Sequence, residues 1–220
     1  YDLKTKESEY FSKRLSALVG IGINYIRQLI SDGKFLWIAH QGGISRFNPK
    51  TEDIKTFILN LKDESGGIIN FIASDIEIVR PDLFLIATDN GLVRFNPESG
   101  DYQQYLPKND GSSIFTKDII SIKKGPKGNY WLGSYGSLMR MTILADDHLS
   151  FQTFYYDRDD PYSLGNTRVI SLEATEADIW VGTEDGLYKY STILDRFEKI
   201  AHDICTSKSI MAIAECYIIL

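Results

Sequence analysis

Short runs of alternating apolar and polar residues, each broken by a glycine or an Asn-Pro pair, recur along this chain at a nearly constant interval. Four segments align without gaps: Trp37–Phe47, Leu85–Phe95, Trp131–Met141 and Trp180–Tyr190. Their first residues, 37, 85, 131 and 180, stand 48, 46 and 49 positions apart. A helical solenoid repeats at a shorter period, whereas about 40–50 residues with four strands suits a propeller blade. No sustained 3.6-residue apolar stripe competes with the alternation, so the chain reads as all-β.

Each unit predicts four antiparallel strands. The inner strands are expected at Tyr25–Ile30, Ile72–Val79, Asp118–Lys123 and Val169–Glu173. The second strand carries the Trp-apolar-small triplet. A tight turn holding Gly43, Gly91 or Gly186 then leads to the third strand, since glycine accepts the positive φ of two-residue hairpins. In the third unit Ser137 takes that place and Gly136 sits one earlier, which predicts a shifted turn. Asn48-Pro49 and Asn96-Pro97 suit the first two positions of a type I turn, and the outer strands carry Phe57, Tyr105, Phe154 and Phe197. The small residue after each Trp-apolar pair fits sheets that converge on an axis. Trp37, Trp131 and Trp180 are read as wedges against the next sheet.

The expected blades are 23–58, 68–106, 116–156 and 167–201, with the end of a preceding blade and a linker at 1–22 and the start of another at 208–220. Tyr1–Phe11 aligns with Phe47–Phe57, so the chain opens at the end of a third strand. The expectation is a β-propeller segment cut from a longer array; a seven-bladed ring at this period would need roughly 330 residues.

Composition narrows the function. Of 220 residues, 24 are Lys or Arg and 30 are Asp or Glu, a formal charge of −6. That balance, without clustered cations, argues against a nucleic-acid partner. The most apolar stretch, Ile210–Leu220, is too short to span a bilayer and is broken by Glu215, so no direct membrane contact is expected. Cys205 and Cys216 fit either two buried thiols or a local disulfide. Neither a metal site, a cofactor nor a catalytic constellation is read: the three histidines fall in different units, and no serine sits in a nucleophile elbow.

The pattern Leu36-Trp37-Ile38-Ala39, Gly42-Gly43-Ile44, Arg46-Phe47-Asn48-Pro49 resembles the two-component regulator propeller repeat, as does Trp180-Val181-Gly182-Thr183 with Asp185-Gly186-Leu187. Leu85 in place of Trp, and Ser137 and Met141, are the departures. The resemblance implies a periplasmic sensor region of a hybrid two-component histidine kinase. Such a region belongs to an inner-membrane parent, works as a homodimer and responds to an oligosaccharide, with a phosphorelay to transcription behind it. Nothing in this chain matches the kinase itself. The alternatives are a structural or dimerisation scaffold, or a propeller glycosidase or lyase.

On the face shared by the turns after the second strands and the blade-linking loops, candidate ligand-binding residues are Tyr135, His40, Asp89, Glu184 and Tyr156. Aromatic faces and carboxylates are what a sugar ring needs, for stacking and for accepting hydroxyl hydrogens. Each has a plainer reading. Asp89, like Asp185, precedes a turn glycine, and His40 reads as a solvated loop residue. The acidic group Asp157, Asp159 and Asp160 reads as a solvated loop lacking the spacing of a calcium loop.

Overall fold

A computed structural model describes residues 25–108, 113–145, 147–165 and 168–201. The partial blades expected at 1–22 and 208–220, and both cysteines, lie outside them. The described residues form four four-stranded antiparallel sheets, each a meander in chain order. Blade 1 comprises β1 (Ile26–Ser31), β2 (Leu36–His40), β3 (Gly43–Phe47) and β4 (Ile54–Ile58). Blade 2 comprises β5 (Ala73–Arg80), β6 (Leu83–Thr88), β7 (Gly91–Phe95) and β8 (Tyr102–Tyr105). Blade 3 holds β9 (Ile119–Lys124), β10 (Tyr130–Ser134), β11 (Leu138–Ile143) and β12 (Leu149–Phe154), and blade 4 holds β13 (Val169–Ala174), β14 (Asp178–Thr183), β15 (Gly186–Ser191) and β16 (Arg196–Ala201). A single 3-10 turn, Pro126–Gly128, is the one helical element among the described residues.

The innermost strands of successive blades lie side by side, which is propeller geometry. One face of each sheet is the wall for the next. Trp37 of β2 sits edge-on to Phe84 of β6 at 4.8 Å and stacks on Phe57 of its own blade at 5.8 Å, within a buried cluster that continues through Phe71, Ile76 and Phe95. Trp131 repeats this between blades 3 and 4, stacking on Phe154 at 5.3 Å and meeting Tyr190 at 4.8 Å. Between blades 2 and 3 the departure Leu85 packs with Ile122, Tyr130, Met139 and Met141. Trp180 is only half-buried, unlike the other two wedges, and the sheet expected to cover it lies outside the described residues.

The small residue after each Trp-apolar pair answers to a lack of room: a Cβ on Gly133 would lie 2.6 Å from Val169 Cγ1 of the next blade. Each inner strand carries a bulge opposite this position, with register shifts between Ile26 and Gln28, Ala73 and Asp75, and Val169 and Ser171, and in blade 3 between Gly133 and Ser134 of the partner strand. A bulge re-aims the following side chain. Gln28 accordingly accepts the Ile76 N–H of blade 2, and Asp75 accepts the Ile122 N–H of blade 3 at 2.8 Å. Ser121 and Ser171 hold the same position; their shorter hydroxyls are buried and form no such bond.

The hairpin after each second strand differs from expectation. Its two-residue loop is 41–42, 89–90, 135–136 or 184–185, and Gly43, Gly91 and Gly186 are the first residues of the third strands. At Gly43 and Gly91 the outer strand imposes glycine: a Cβ would lie 2.3 Å from the carbonyl oxygen of Phe57 or Tyr105. The third turn is not shifted. Ser134 donates its N–H to Ser137 O at 3.1 Å, and its Oγ donates to the same oxygen at 2.7 Å. Thr88 bonds Gly91 O, and Thr183 bonds Gly186 O, in the same way. Ser137 is tolerated because its φ is negative, whereas Gly91 sits at φ 102°.

Candidate functional site

The loops after the second strands and the linkers between blades meet on one face. Of the five candidates, two come together. The Tyr135 ring lies under the Arg168 guanidinium at 4.5 Å, and Arg168 pairs with Glu184 at 2.7 Å. A bridge between Tyr135 and Arg168 holds this backbone across the junction of blades 3 and 4. Tyr135 stays 54% exposed, so one ring face is presented to solvent beside a neutralised ion pair.

Asp89 stands apart. Its Oδ1 accepts the Ile72 N–H at 2.9 Å, tying the turn to the start of the blade. Burial pushes its carboxyl above the usual range, with Asp118 adding repulsion, against the Ile72 bond that lowers it. His40 is corrected outright: it is neither a solvated loop residue nor reachable by a ligand. It is the last residue of β2 and fully buried. Its Nδ1–H donates to Gln41 O at 2.8 Å, and its Nε2 accepts from Ser45 Oγ at 2.9 Å, which meets Thr56 Oγ1 at 2.7 Å. Burial lowers its pKa, outweighing those bonds, so the imidazole is neutral. Position 40 matches Thr88, Ser134 and Thr183, whose hydroxyls cap the same turn; that equivalence was the signal for a structural histidine.

Tyr156, 55% exposed, lies on the outer rim. There the linker leaving β12 runs beside β16, fixed by the Phe197 N–H donating to Tyr162 O at 2.9 Å. Between them is a crevice of about 550 Å³ walled by Tyr155, Tyr156, Tyr162, Asp157, Asp195 and Arg196. Arg196 covers Tyr162 at 4.4 Å, and Phe115 meets Tyr155 edge-on at 5.2 Å. Asp157 and Asp160 each accept a linker amide through one oxygen, at 2.9 Å from Asp159 N and Tyr162 N. Among the described residues no group of acidic, histidine or cysteine side chains is placed to hold a metal ion.

Sequence reading assigned no role to the cation that ends each third strand, although its recurrence at Arg46, Arg94, Arg140 and Lys189 was visible. In blades 2 and 3 it reaches the next blade, whereas Lys189 pairs with Glu198 of its own blade at 3.5 Å. Arg94 donates to Asp147 Oδ2 at 2.9 Å and to Asp147 O at 3.0 Å. Arg140 donates to the Tyr190 hydroxyl at 3.2 Å and lies 3.9 Å from Asp195. The Tyr190 hydroxyl, which also bonds Asp195, is pushed up to about 12, first by burial.

Asp75 is the strongest electrostatic anomaly of the inner rim. Burial between blades 2 and 3 pushes its carboxyl up to about 6, against the Ile122 and Ile76 amides and the charge of Lys123, with Glu77 adding repulsion. A folded-state pKa above the unfolded value means the contribution is fully present below pH ~4 and is lost as pH rises through ~6. Asp75→Asn should therefore flatten the fall in stability between pH 4.5 and 7.5, by on the order of 2–3 kcal/mol across that window. Urea unfolding of both forms at three pH values measures it. An unchanged slope would place the pH dependence elsewhere. His40, with its lowered pKa, works in the opposite sense, losing stability as pH falls below about 6.5.

No family model matches this chain, and no curated protein does. Among solved structures it is similar to the extracellular domain assigned to a hybrid two component system of Bacteroides thetaiotaomicron, at 20% identity and TM-score 0.62 over 81% of this chain. It spans 25% of that chain's length. PorZ, a surface component of the type-IX secretion system of Porphyromonas gingivalis, matches at 15% identity and TM-score 0.60 over 83% of this chain and 28% of its own. An inactive virginiamycin B lyase from Staphylococcus aureus, solved with quinupristin, matches at 16% identity and TM-score 0.58 over 83% of this chain and 57% of its own. At these identities the likeness is one of fold.

Proposed function

We propose that this chain is a ligand-sensing propeller segment from the extracytoplasmic region of a hybrid two-component sensor histidine kinase, and that it responds to an oligosaccharide. The observation carrying this is the tyrosine-walled rim crevice beside blade 4, on a fold shared with the extracellular domain of such a system. Rings of Tyr155, Tyr156 and Tyr162 offer flat apolar surface, while the carboxylates of Asp157 and Asp160 accept hydroxyl hydrogens. The two-residue turns after the second strands are short and mostly polar, so the rim offers more contact area than the turns. Occupancy would alter the blade 3–blade 4 junction, and a dimer of the parent ectodomain would pass that change toward the kinase and a transcriptional response.

Thermal unfolding against an oligosaccharide panel tests the reading. A binding member at a hundredfold excess over Kd stabilises the chain by about 2.7 kcal/mol, which for this size is roughly 5–10 °C in Tm. Tyr156→Ala and Tyr162→Ala should each weaken binding by about 2- to 12-fold. A panel that leaves Tm unmoved favours the scaffold alternative, and product formation from a panel member favours a lyase or glycosidase.

A further inference from the structure

The contacts between blades leave one position open. In blades 2 and 3 the third-strand arginine finds an aspartate in the last hairpin loop of the following blade: Arg94 with Asp147, and Arg140 with Asp195. Each aspartate is the left-handed residue of its loop, at φ 65° and 51°. The left-handed residue at the equivalent place in blade 2 is Gly100, at φ 83°, which has no side chain to offer Arg46 of blade 1. Among the described residues Arg46 has no salt bridge. Its guanidinium instead lies 4.3 Å over the Phe35 ring, with Lys34 Nζ 4.8 Å from the same ring. Asp32 feels its charge, but that carboxylate is held by the Trp37 indole N–H at 2.7 Å and by the Phe35 and Lys34 amides.

Beside Arg46 there is a crevice of about 610 Å³ between blades 1 and 2, lined by Phe35, Trp37 and Pro97 together with the carboxylates of Asp32, Glu77 and Glu98. We infer that this crevice binds a small organic carboxylate, which supplies to Arg46 the charge that Asp147 and Asp195 supply to Arg94 and Arg140. The flat apolar part of the ligand rests against Phe35 and Pro97. Glu77 and Glu98 disfavour a second negative group, so the ligand carries one carboxylate on an otherwise neutral body. This inference is independent of the rim crevice and stands if that crevice binds nothing.

The same comparison supplies the test. A Cβ at position 100 would meet only Phe57 Cδ1 at 3.7 Å and Cε1 at 3.8 Å, an ordinary contact, and aspartate already adopts this backbone region at 147 and 195. Sodium benzoate is titrated into the full chain, with benzamide as the neutral isostere, following the Trp37 indole and Arg46 Nε–H resonances. Benzoate should shift both saturably and bind about tenfold or more tightly than benzamide. Arg46→Gln should weaken benzoate by about tenfold, whereas Gly100→Asn should bind as the parent does. Gly100→Asp should abolish benzoate binding while raising Tm, because the site is then filled from within. Equal binding of benzoate and benzamide, or benzoate affinity unchanged in Gly100→Asp, overturns the proposal. So does Arg46-dependent self-association by sedimentation without any benzoate shift, which would assign the carboxylate to a second copy.

Discussion

Trp37→Ala should lower the unfolding free energy by about 3–5 kcal/mol, the range for removing a buried large aromatic. Trp37 is 1% exposed and touches three aromatic rings, two of them, Phe84 and Phe95, on the neighbouring blade. Deleting it opens a void between sheets, and both sheets are held by hydrogen bonding that cannot follow the side chain inward. The loss also removes the indole N–H bond that caps Asp32. Trp180→Ala should cost visibly less, since that side chain is half-buried. Denaturant midpoints of the two variants separate the outcomes, and equal losses would contradict a wedge role specific to the blade 1–blade 2 junction.

Gly91→Ala should be nearly as damaging, at about 3 kcal/mol or more. Two costs add. A methyl group at this position must displace the Tyr105 carbonyl, which lies 2.3 Å from the ideal Cβ, and the backbone sits at φ 102°, where an L-residue is strained. Gly66→Ala is the internal control: φ is 87°, but nothing lies within 4 Å of its Cβ, so only the conformational cost of about 1–2 kcal/mol remains. If the two substitutions cost the same in urea titrations, the close approach of β8 is not what demands glycine at 91.

These cases show where sequence legibility stopped. The period, the strand order and the outer aromatics were readable because each follows from local alternation and turn chemistry. The register of the third turn was not. Glycine at 43 and 91 answers to the carbonyl of the outer strand, and Ser137 meets its turn with a negative φ, which no sequence pattern announces. His40 reads as a loop residue because His40-Gln41 precedes Gly42-Gly43; its burial follows from its place as the last residue of β2. The arginine–aspartate contacts needed two blades placed side by side, since Arg94 and Asp147 are 53 residues apart. Likewise Tyr135 and Glu184 lie 49 positions apart, and the contacts of Arg168 that join them depend on the junction of blades 3 and 4. The tyrosine crevice on the rim arises from a linker lying along β16, which no periodicity announces.

Packing of each sheet on its successor is the claim from which the crevices, the Asp75 contact and the Arg46 site all follow. A double-mutant cycle between Trp37 and Phe84, on different blades with ring centroids 4.8 Å apart, measures it most directly. The expected result is a coupling energy of about 0.5–1.5 kcal/mol between Trp37→Leu and Phe84→Leu in the full chain. Strict additivity of the two losses would mean that blades 1 and 2 do not share a core, and would contradict the account.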